Sequence, residues 1–142
     1  MRNVRDILET KGHDVWSIEP MALVYDAMKL MADKEIGALL VMEGATLAGI
    51  LSERDYARKI ILQGRSSLTT EVREIMTSRV VCAGPERSIA ECMALMTDKR
   101  IRHLPVVEAG QVCGMISIGD LVKAIIAEQQ FIIQQLERYI TG

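Results

Sequence analysis

Aromatic side chains are scarce in this 142-residue sequence, where one Trp, three Tyr and one Phe make up 4% of the residues. No charge sign dominates, because 17 Lys and Arg stand against 19 Asp and Glu. Proteins that bind nucleic acid usually carry a basic excess or stacking aromatics, so we expect no nucleic-acid partner. No apolar run approaches the roughly 18–20 residues that span a bilayer, and Arg5 and Asp6 interrupt any signal-peptide core. We therefore expect a cytoplasmic protein without membrane contact.

Cysteine is equally sparse. Cys82, Cys92 and Cys113 are the three cysteines, and no two of them form a C-x-x-C pair. No Cys and His stand at zinc-ligand spacing, and an odd count does not suit a disulfide framework. All three lie at apolar positions of regular segments, which predicts buried, reduced thiols and no metal site.

The sequence contains an internal duplication with an offset of 65 residues. Val15–Ile61 aligns with Val80–Ile126 without a gap, and 16 of the 47 aligned positions are identical. Unrelated segments of ordinary composition would match at roughly one position in sixteen. A repeat of this strength indicates two copies of one supersecondary unit.

Each copy has the pattern of a β-α-β-β-α unit, which predicts an α+β fold. Apolar residues at i, i+3, i+4 and i+7 predict a helix after the first strand of each copy, and Ser88 with Glu91 forms a capping box. Turn residues separate two hairpin strands, and a last helix is expected from Glu53 in one copy and Ile118 in the other. The predicted strands are 15–17, 38–42 and 47–51 in copy one, and 80–82, 103–107 and 112–116 in copy two.

The expected organisation is one structural module. We assign 1–62 to a first repeat with a short N-terminal helix, 63–71 to a polar linker, 72–127 to a second repeat and 128–142 to a C-terminal helix extension. A lone copy cannot bury both faces of its sheet, so the two repeats are expected to pack together pseudo-symmetrically.

The segments Gly49-Ile50-Leu51-Ser52-Glu53-Arg54-Asp55 and Gly114-Met115-Ile116-Ser117-Ile118-Gly119-Asp120 resemble the motif of tandem CBS (cystathionine-β-synthase-type) domains. Arg102–Val107 resembles the second-strand pattern of that family. The resemblance covers almost the whole chain, and the chain resembles in particular the stand-alone bacterial CBS pairs assigned to signal transduction. It implies a Bateman module with clefts between the repeats that bind AMP, ADP, ATP, NAD(H) or S-adenosylmethionine, and pairs that associate into disc-like homodimers.

The motif can be interpreted physically without the family. A Ser that closes a strand and the free N–H groups of the next helix turn suit a phosphate, and an Asp three residues later can accept both hydroxyls of a ribose. The same Ser-x-x-Asp is also an ordinary helix cap worth about 1 kcal/mol, and the two roles are compatible. Two copies at one offset favour nucleotide binding. We predict ribose contacts from Asp55 and Asp120.

The phosphate and adenine contacts are predicted to differ between the two sites. Arg54 stands where copy two has Gly119, and it is either a bidentate phosphate ligand or a solvated helix residue. The resemblance places Arg102 and His103 at the cleft, although a lone His is more often a core or surface residue. The predicted phosphate residues are Ser52, Arg54, Ser117, Arg102 and His103. The adenine residues implied by the resemblance are Gly12, Val15, Ile18, Ile36, Gly37, Thr77, Val80, Cys82 and Ile101.

The last helix carries an apolar stripe with one polar break. Its members follow 3-4 spacing, which favours a homodimer contact over packing on the chain's own body: Val122, Ile125, Gln129, Ile132, Leu136 and Tyr139.

These observations favour a regulatory adenine-nucleotide-binding module that transmits ligand binding through a homodimer to an effector protein. The alternatives are an S-adenosylmethionine binder and an interaction scaffold with vestigial clefts. Catalysis is not expected, because G-x-S-x-G, G-x-x-x-x-G-K-[ST] and G-x-G-x-x-G motifs are absent. Ser117 does not stand out as a nucleophile either, because Ser52 shares all of its features and the first copy has no histidine. No catalytic cofactor is expected, and the bound ligand is expected to be AMP, ATP or NAD(H).

Overall fold

A computed structural model of the chain describes residues 2–141, which fold into two compact units. The Asp55 unit is Val15–Val81, and the Asp120 unit joins the residues up to Asp14 with those from Cys82 onward. Each unit contains one repeat of the sequence, and we name each unit after the aspartate of its Ser-x-x-Asp motif.

The Asp55 unit is built on a three-stranded sheet. Its elements are β1 (Ser17–Ile18), α2 (Val24–Lys34), β2 (Ala38–Glu43), β3 (Thr46–Ser52) and α3 (Glu53–Tyr56), which continues as a π-helical turn over Ala57–Ile61; a 3₁₀ turn follows at Val72–Glu74. Strand β2 pairs in parallel with β1 and antiparallel with β3. The apolar face of α2 covers the sheet, so Val24, Ala27 and Met31 are buried with Leu39, Val41 and Leu51.

The Asp120 unit has a two-stranded sheet. Its elements are α1 (Val4–Lys11), α4 (Ile89–Lys99), β4 (His103–Glu108), β5 (Gln111–Ser117) and α5 (Ile118–Thr141). Strands β4 and β5 form an antiparallel hairpin in the same register as β2 and β3, with His103 opposite Ser117 where copy one has Ala38 opposite Ser52. The predicted α+β repeats, hairpins, capping box at Ser88 and starts of the last helices are confirmed.

The strand predicted at 80–82 is wrong. Copy two has only a single parallel bridge between Ala83 and Val106. In copy one the N–H of Leu40 donates to the carbonyl oxygen of Trp16 at 3.2 Å, which extends the pairing toward the N-terminus. Pro105 occupies the position equivalent to Leu40, and proline has no N–H to donate. The missing donor shortens the ladder on that side. The first strand of copy one begins at Ser17 rather than Val15.

The short helix that precedes each repeat in the sequence packs against the other repeat. The N–H of Val4 in α1 donates to Arg87 O at 2.9 Å, and Arg5 binds Glu86 and Glu108 at 2.9 and 2.6 Å. In the Asp55 unit, the N–H of Val72 donates to Ala22 O at 2.8 Å. Each compact unit therefore contains the short helix that precedes the other repeat in the sequence. In the predicted repeats 1–62 and 72–127, each short helix belongs to the repeat that follows it.

Helix α5 is continuous over its 24 residues, with Leu121 and Ala124 buried at its start. Every described residue from Ile126 to Thr141 is exposed. Within residues 2–141 no helix is both long enough and apolar enough to cross a membrane.

Candidate binding site at the Ser-x-x-Asp motifs

Both motifs form a capping box at a strand-to-helix junction. The N–H of Asp55 donates to Ser52 Oγ at 3.2 Å, and the N–H of Ser52 donates back to Asp55 Oδ2 at 3.0 Å. In the second motif the N–H of Asp120 donates to Ser117 Oγ at 3.2 Å, and the N–H of Ser117 donates to Asp120 Oδ2 at 2.8 Å. The helix-cap role is therefore present in both copies, and each carboxylate is held at the start of its helix.

The Asp55 carboxylate has donors on both oxygens. Oδ2 accepts from the N–H and the Oγ of Ser52, each at 3.0 Å. Oδ1 lies 3.0 Å from Lys59 Nζ and accepts from Thr77 Oγ1 at 3.4 Å. Lys59 lies in the π-helical turn and also donates to Ile75 O at 2.8 Å. Asp55 is only 9% exposed, so these four protein groups, rather than water, satisfy most of the acceptor capacity of its carboxylate.

The Asp120 carboxylate is held differently. Its Oδ2 accepts from the N–H of Ser117 and from Lys11 Nζ, the latter at 2.7 Å. Lys11 is the last residue of α1, and its ammonium also donates to Met115 O at 2.6 Å. Burial alone would raise the pKa of Asp120, but the Lys11 ammonium and the Ser117 N–H outweigh it and hold this pKa below that of an ordinary aspartate. The carboxylate is therefore ionised at neutral pH.

The outer edge of the hairpin explains why the two carboxylates have different partners. In the Asp55 unit, Ile50 and Thr77 exchange two main-chain hydrogen bonds of 3.0 and 2.9 Å. Gly12 occupies the position equivalent to Thr77 and has no side chain to reach Asp120. Instead, side chains from the end of α1 bind the β5 edge: Lys11 binds Met115 O, and His13 Nδ1 lies 2.9 Å from Cys113 O.

The lowered pKa of Asp120 predicts a loss of stability in acid. The unfolded state binds the proton more tightly than the folded state. The contribution of ionised Asp120 to the free energy of unfolding is therefore complete above the pKa of the unfolded state, about 3.8, and it disappears as the pH falls through the lower pKa of the folded state. We expect Asp120→Asn to lower the free energy of unfolding by about 2 kcal/mol at pH 7, the scale of hydrogen bonds to a charged group. Urea titrations of both proteins from pH 7 to pH 3 should show this difference shrinking.

Asp6, Glu74 and Glu91 also have lowered pKa values, chiefly because of backbone hydrogen bonds, and they also contribute to the pH dependence of stability. The difference between wild type and Asp120→Asn removes their contribution and leaves that of Asp120. A difference that stays constant down to pH 3 would contradict the assignment.

The residues predicted for phosphate lie beside each motif of their own unit. The N–H of Ile118 donates to Arg102 O at 2.9 Å, and His103 faces Ser117 across the hairpin. In the other unit, the N–H of Glu53 donates to Gly37 O at 3.0 Å. Arg102 and Arg54 have exposed side chains, whereas the two motif serines are partly buried.

The residues predicted for adenine divide between the units. Gly12, Cys82 and Ile101 belong to the Asp120 unit, and the other six belong to the Asp55 unit: Val15, Ile18, Ile36, Gly37, Thr77 and Val80. Thr77 contacts the Asp55 carboxylate itself, at 3.4 Å. Burial raises the pKa of the Cys82 and Cys92 thiols, and residues 2–141 contain no cluster of three His, Cys, Asp or Glu side chains that could hold a metal ion.

Sequence reasoning missed the two lysines that bind the carboxylates. Lys59 stands four residues after Asp55 on a helix, a spacing that favours an ion pair and could have indicated it. Lys11 is separated from Asp120 by 109 positions, and no local pattern connects them. The lysines are not at equivalent positions of the repeat, so each copy supplies its cation from a different element.

The hairpin frame and the duplicated motif define a class of protein. The sequence pattern of the CBS domain matches residues 4–62 and 72–127, and the chain belongs to the CBS-domain family. It is 43% identical to the mitochondrial CBS domain-containing protein CBSX3 of Arabidopsis thaliana over 149 residues, which cover 98% of this chain and 72% of that protein.

Two solved structures show the same fold. A CBS-domain protein of Burkholderia ambifaria, proposed to act in signal transduction, has 54% sequence identity and a TM-score of 0.86, covering 89% of this chain and 96% of its own. The CBS pair of protein MJ0100, solved with 5′-methylthioadenosine and S-adenosylmethionine, has a TM-score of 0.78 at 23% identity. It covers 89% of this chain and 97% of that protein, and at this identity it supports the fold alone.

Proposed function

We propose that this protein is a regulatory module that binds an adenosine-containing compound and passes the resulting change to an effector protein through a homodimer. The observation that carries the proposal is the duplicated capping box of a CBS pair, in which a carboxylate is fixed at the start of a helix. AMP, ATP and NAD(H) are the ligands we propose first. The compounds bound to MJ0100 make S-adenosylmethionine the second candidate.

The chemistry of the ligand follows from the acceptors of the motif. A carboxylate accepts hydrogen bonds only, and its two oxygens match the adjacent 2′ and 3′ hydroxyls of a ribose. Asp55 and Asp120 are the aspartates predicted for this role. A phosphate group, where the ligand carries one, would meet Ser117, Arg102 and His103 in one unit and Ser52 and Arg54 in the other. The apolar residues Val15, Ile18, Ile36 and Ile101 suit the adenine ring.

The proposed homodimer uses the exposed face of α5. Val122, Ile132, Leu136 and Tyr139 are each at least 42% exposed, although they form one stripe of the helix. Gln129 lies in the middle of this stripe. Its side-chain amide both donates and accepts, so the same residue of a second copy would satisfy it, whereas an apolar partner would not. This self-complementary pattern favours a second copy of the chain as the partner of α5.

Ligand binding is tested by thermal unfolding of the full-length protein with AMP, ADP, ATP, NAD+, NADH, S-adenosylmethionine and 5′-methylthioadenosine. A ligand at 100 times its dissociation constant should stabilise the fold by about 2.7 kcal/mol. For the ligand that gives the largest shift, the 2′,3′-dideoxy analogue lacks the groups that a carboxylate recognises, and its affinity should be at least tenfold weaker.

Two results would contradict the proposal. One is the absence of a shift with every compound in protein shown to be free of carried-over nucleotide, which would favour an interaction scaffold. The other is equal affinity for the dideoxy analogue, which would remove the carboxylates from the ligand site.

A further inference from the structure

The two motifs are identical in sequence at Ser and Asp, but their carboxylates differ in how much of their acceptor capacity is used. An ionised carboxylate offers about four lone pairs. The four donors on Asp55 come from Ser52, Lys59 and Thr77 and engage both of its oxygens. On Asp120 the Ser117 N–H and the Lys11 ammonium both bind Oδ2. A ribose would have to displace protein donors from Asp55, whereas Asp120 has Oδ1 to offer.

The groups around Asp55 are also harder to move. Thr77 is fixed by two main-chain hydrogen bonds to Ile50, so withdrawing its hydroxyl means a rotation of its side chain or the loss of that pairing. Both lysines also donate to a main-chain oxygen, Lys59 to Ile75 O at 2.8 Å and Lys11 to Met115 O at 2.6 Å, so the difference between the two sites lies in Thr77. In the Asp120 unit the equivalent position is Gly12, which has no hydroxyl, so the donors to that carboxylate are the Ser117 N–H and Lys11 Nζ.

We infer that the adenosine ligand binds through Asp120 alone, so that each chain takes one ligand, and that Asp55 is a structural carboxylate that ties β3 to α3 and to the segment around Thr77. This inference rests on the proposed function and selects one of its two candidate aspartates. At equivalent positions copy one has Thr77 where copy two has Gly12, and Lys59 where copy two has Ala124, and these two differences account for the donors on Asp55 Oδ1.

The test is isothermal titration calorimetry of the full-length protein with AMP and with 5′-methylthioadenosine as probes. We expect one equivalent of probe per chain. Asp120→Asn should raise the dissociation constant at least 30-fold, because an amide replaces half of the acceptor capacity with donors. Asp55→Asn should change it less than threefold while lowering the unfolding temperature.

A matched lysine pair keeps the test decisive where Asp55→Asn folds poorly. Lys59→Met removes the cation beside Asp55 and should leave the affinity for both probes within threefold of wild type. Lys11→Met removes the cation that fixes Asp120 Oδ2, and the affinity should fall at least fivefold.

The outcomes separate the inference from the function on which it rests. Two equivalents per chain, or a loss of affinity with Asp55→Asn or Lys59→Met but not with Asp120→Asn, would overturn the inference and leave adenosine binding intact. No heat of binding with either probe, together with no thermal shift across the wider set of compounds, would overturn both. One equivalent that is lost only in the Asp120→Asn and Lys11→Met variants supports both.

Discussion

Gly49→Ala is expected to lower the free energy of unfolding by about 3 kcal/mol, the upper part of the usual range for overpacking a core. A Cβ at residue 49 would lie 2.7 Å from Met76 Sδ and 2.9 Å from Thr77 O. The sulfur can move, but the carbonyl belongs to a main chain that is paired with Ile50. The strand edge must therefore open, and the Thr77 hydroxyl is drawn away from Asp55. Urea denaturation monitored by circular dichroism measures the loss.

Two other glycines provide matched controls. Gly84→Ala places its Cβ in open space and should cost less than about 0.5 kcal/mol. Gly114 is equivalent to Gly49, but the three atoms nearest to its Cβ would all belong to the side chain of Leu8, the first being Cδ2 at 2.7 Å. Gly114→Ala should therefore cost less than Gly49→Ala, and Leu8→Ala should couple favourably with it in a double-mutant cycle. A Gly49→Ala variant as stable as Gly84→Ala would contradict this prediction, because it would show that the main chain at Thr77 can move at little cost in free energy.

Leu136→Glu is expected to weaken the proposed homodimer at least 100-fold. Leu136 is 56% exposed in the single chain and lies in the apolar stripe of α5. In a paired helix it would be covered, and a glutamate there would bury a charge without a partner. The protomer should remain folded, because its described contacts do not depend on this side chain, which is exposed. Analytical ultracentrifugation over a range of concentrations gives the dissociation constant.

Gln134→Glu is the control for this change. Residue 134 is also exposed, but the 100° advance per residue of an α-helix places it on the face away from the stripe. It introduces the same charge and should leave the dimer intact. A wild-type protein that sediments as a monomer at high micromolar concentration, or a Leu136→Glu variant that sediments like wild type, would exclude α5 as the dimer contact.

Local patterns were sufficient to predict most of the fold. Hairpin strands, turn residues and helix starts depend on neighbours in the chain. The structure therefore keeps the predicted order of elements and extends each predicted hairpin strand by one residue at one or both ends. The missing strand of copy two depended on Pro105, whose lack of an N–H matters only once the partner strand is known. The sequence placed that proline in a strand but did not show which hydrogen bond it would remove.

The candidate site was less predictable, because its important contacts join distant segments. The Ser-x-x-Asp geometry is local and was expected, as was the double role of the motif as a helix cap. Lys11 and Thr77 reach the carboxylates across long stretches of chain, and only a folded hairpin edge brings them there. The sequence predicted sites that differ at Arg54 and Gly119, but it did not point to the differences Gly12/Thr77 and Lys59/Ala124, which give the two aspartates different surroundings.

The way in which α1 packs on the second repeat imposes an order of events during synthesis. Residues 15–81 are contiguous, so the Asp55 unit can form as soon as they leave the ribosome. Helix α1 has eight residues, too few to be stable alone, and its partner Glu108 follows Arg5 by 103 positions. At about 5–20 residues per second, this segment waits several seconds for its binding strand. The Asp120 unit is therefore completed last, and a nascent chain that stops before residue 120 has no Lys11–Asp120 pair.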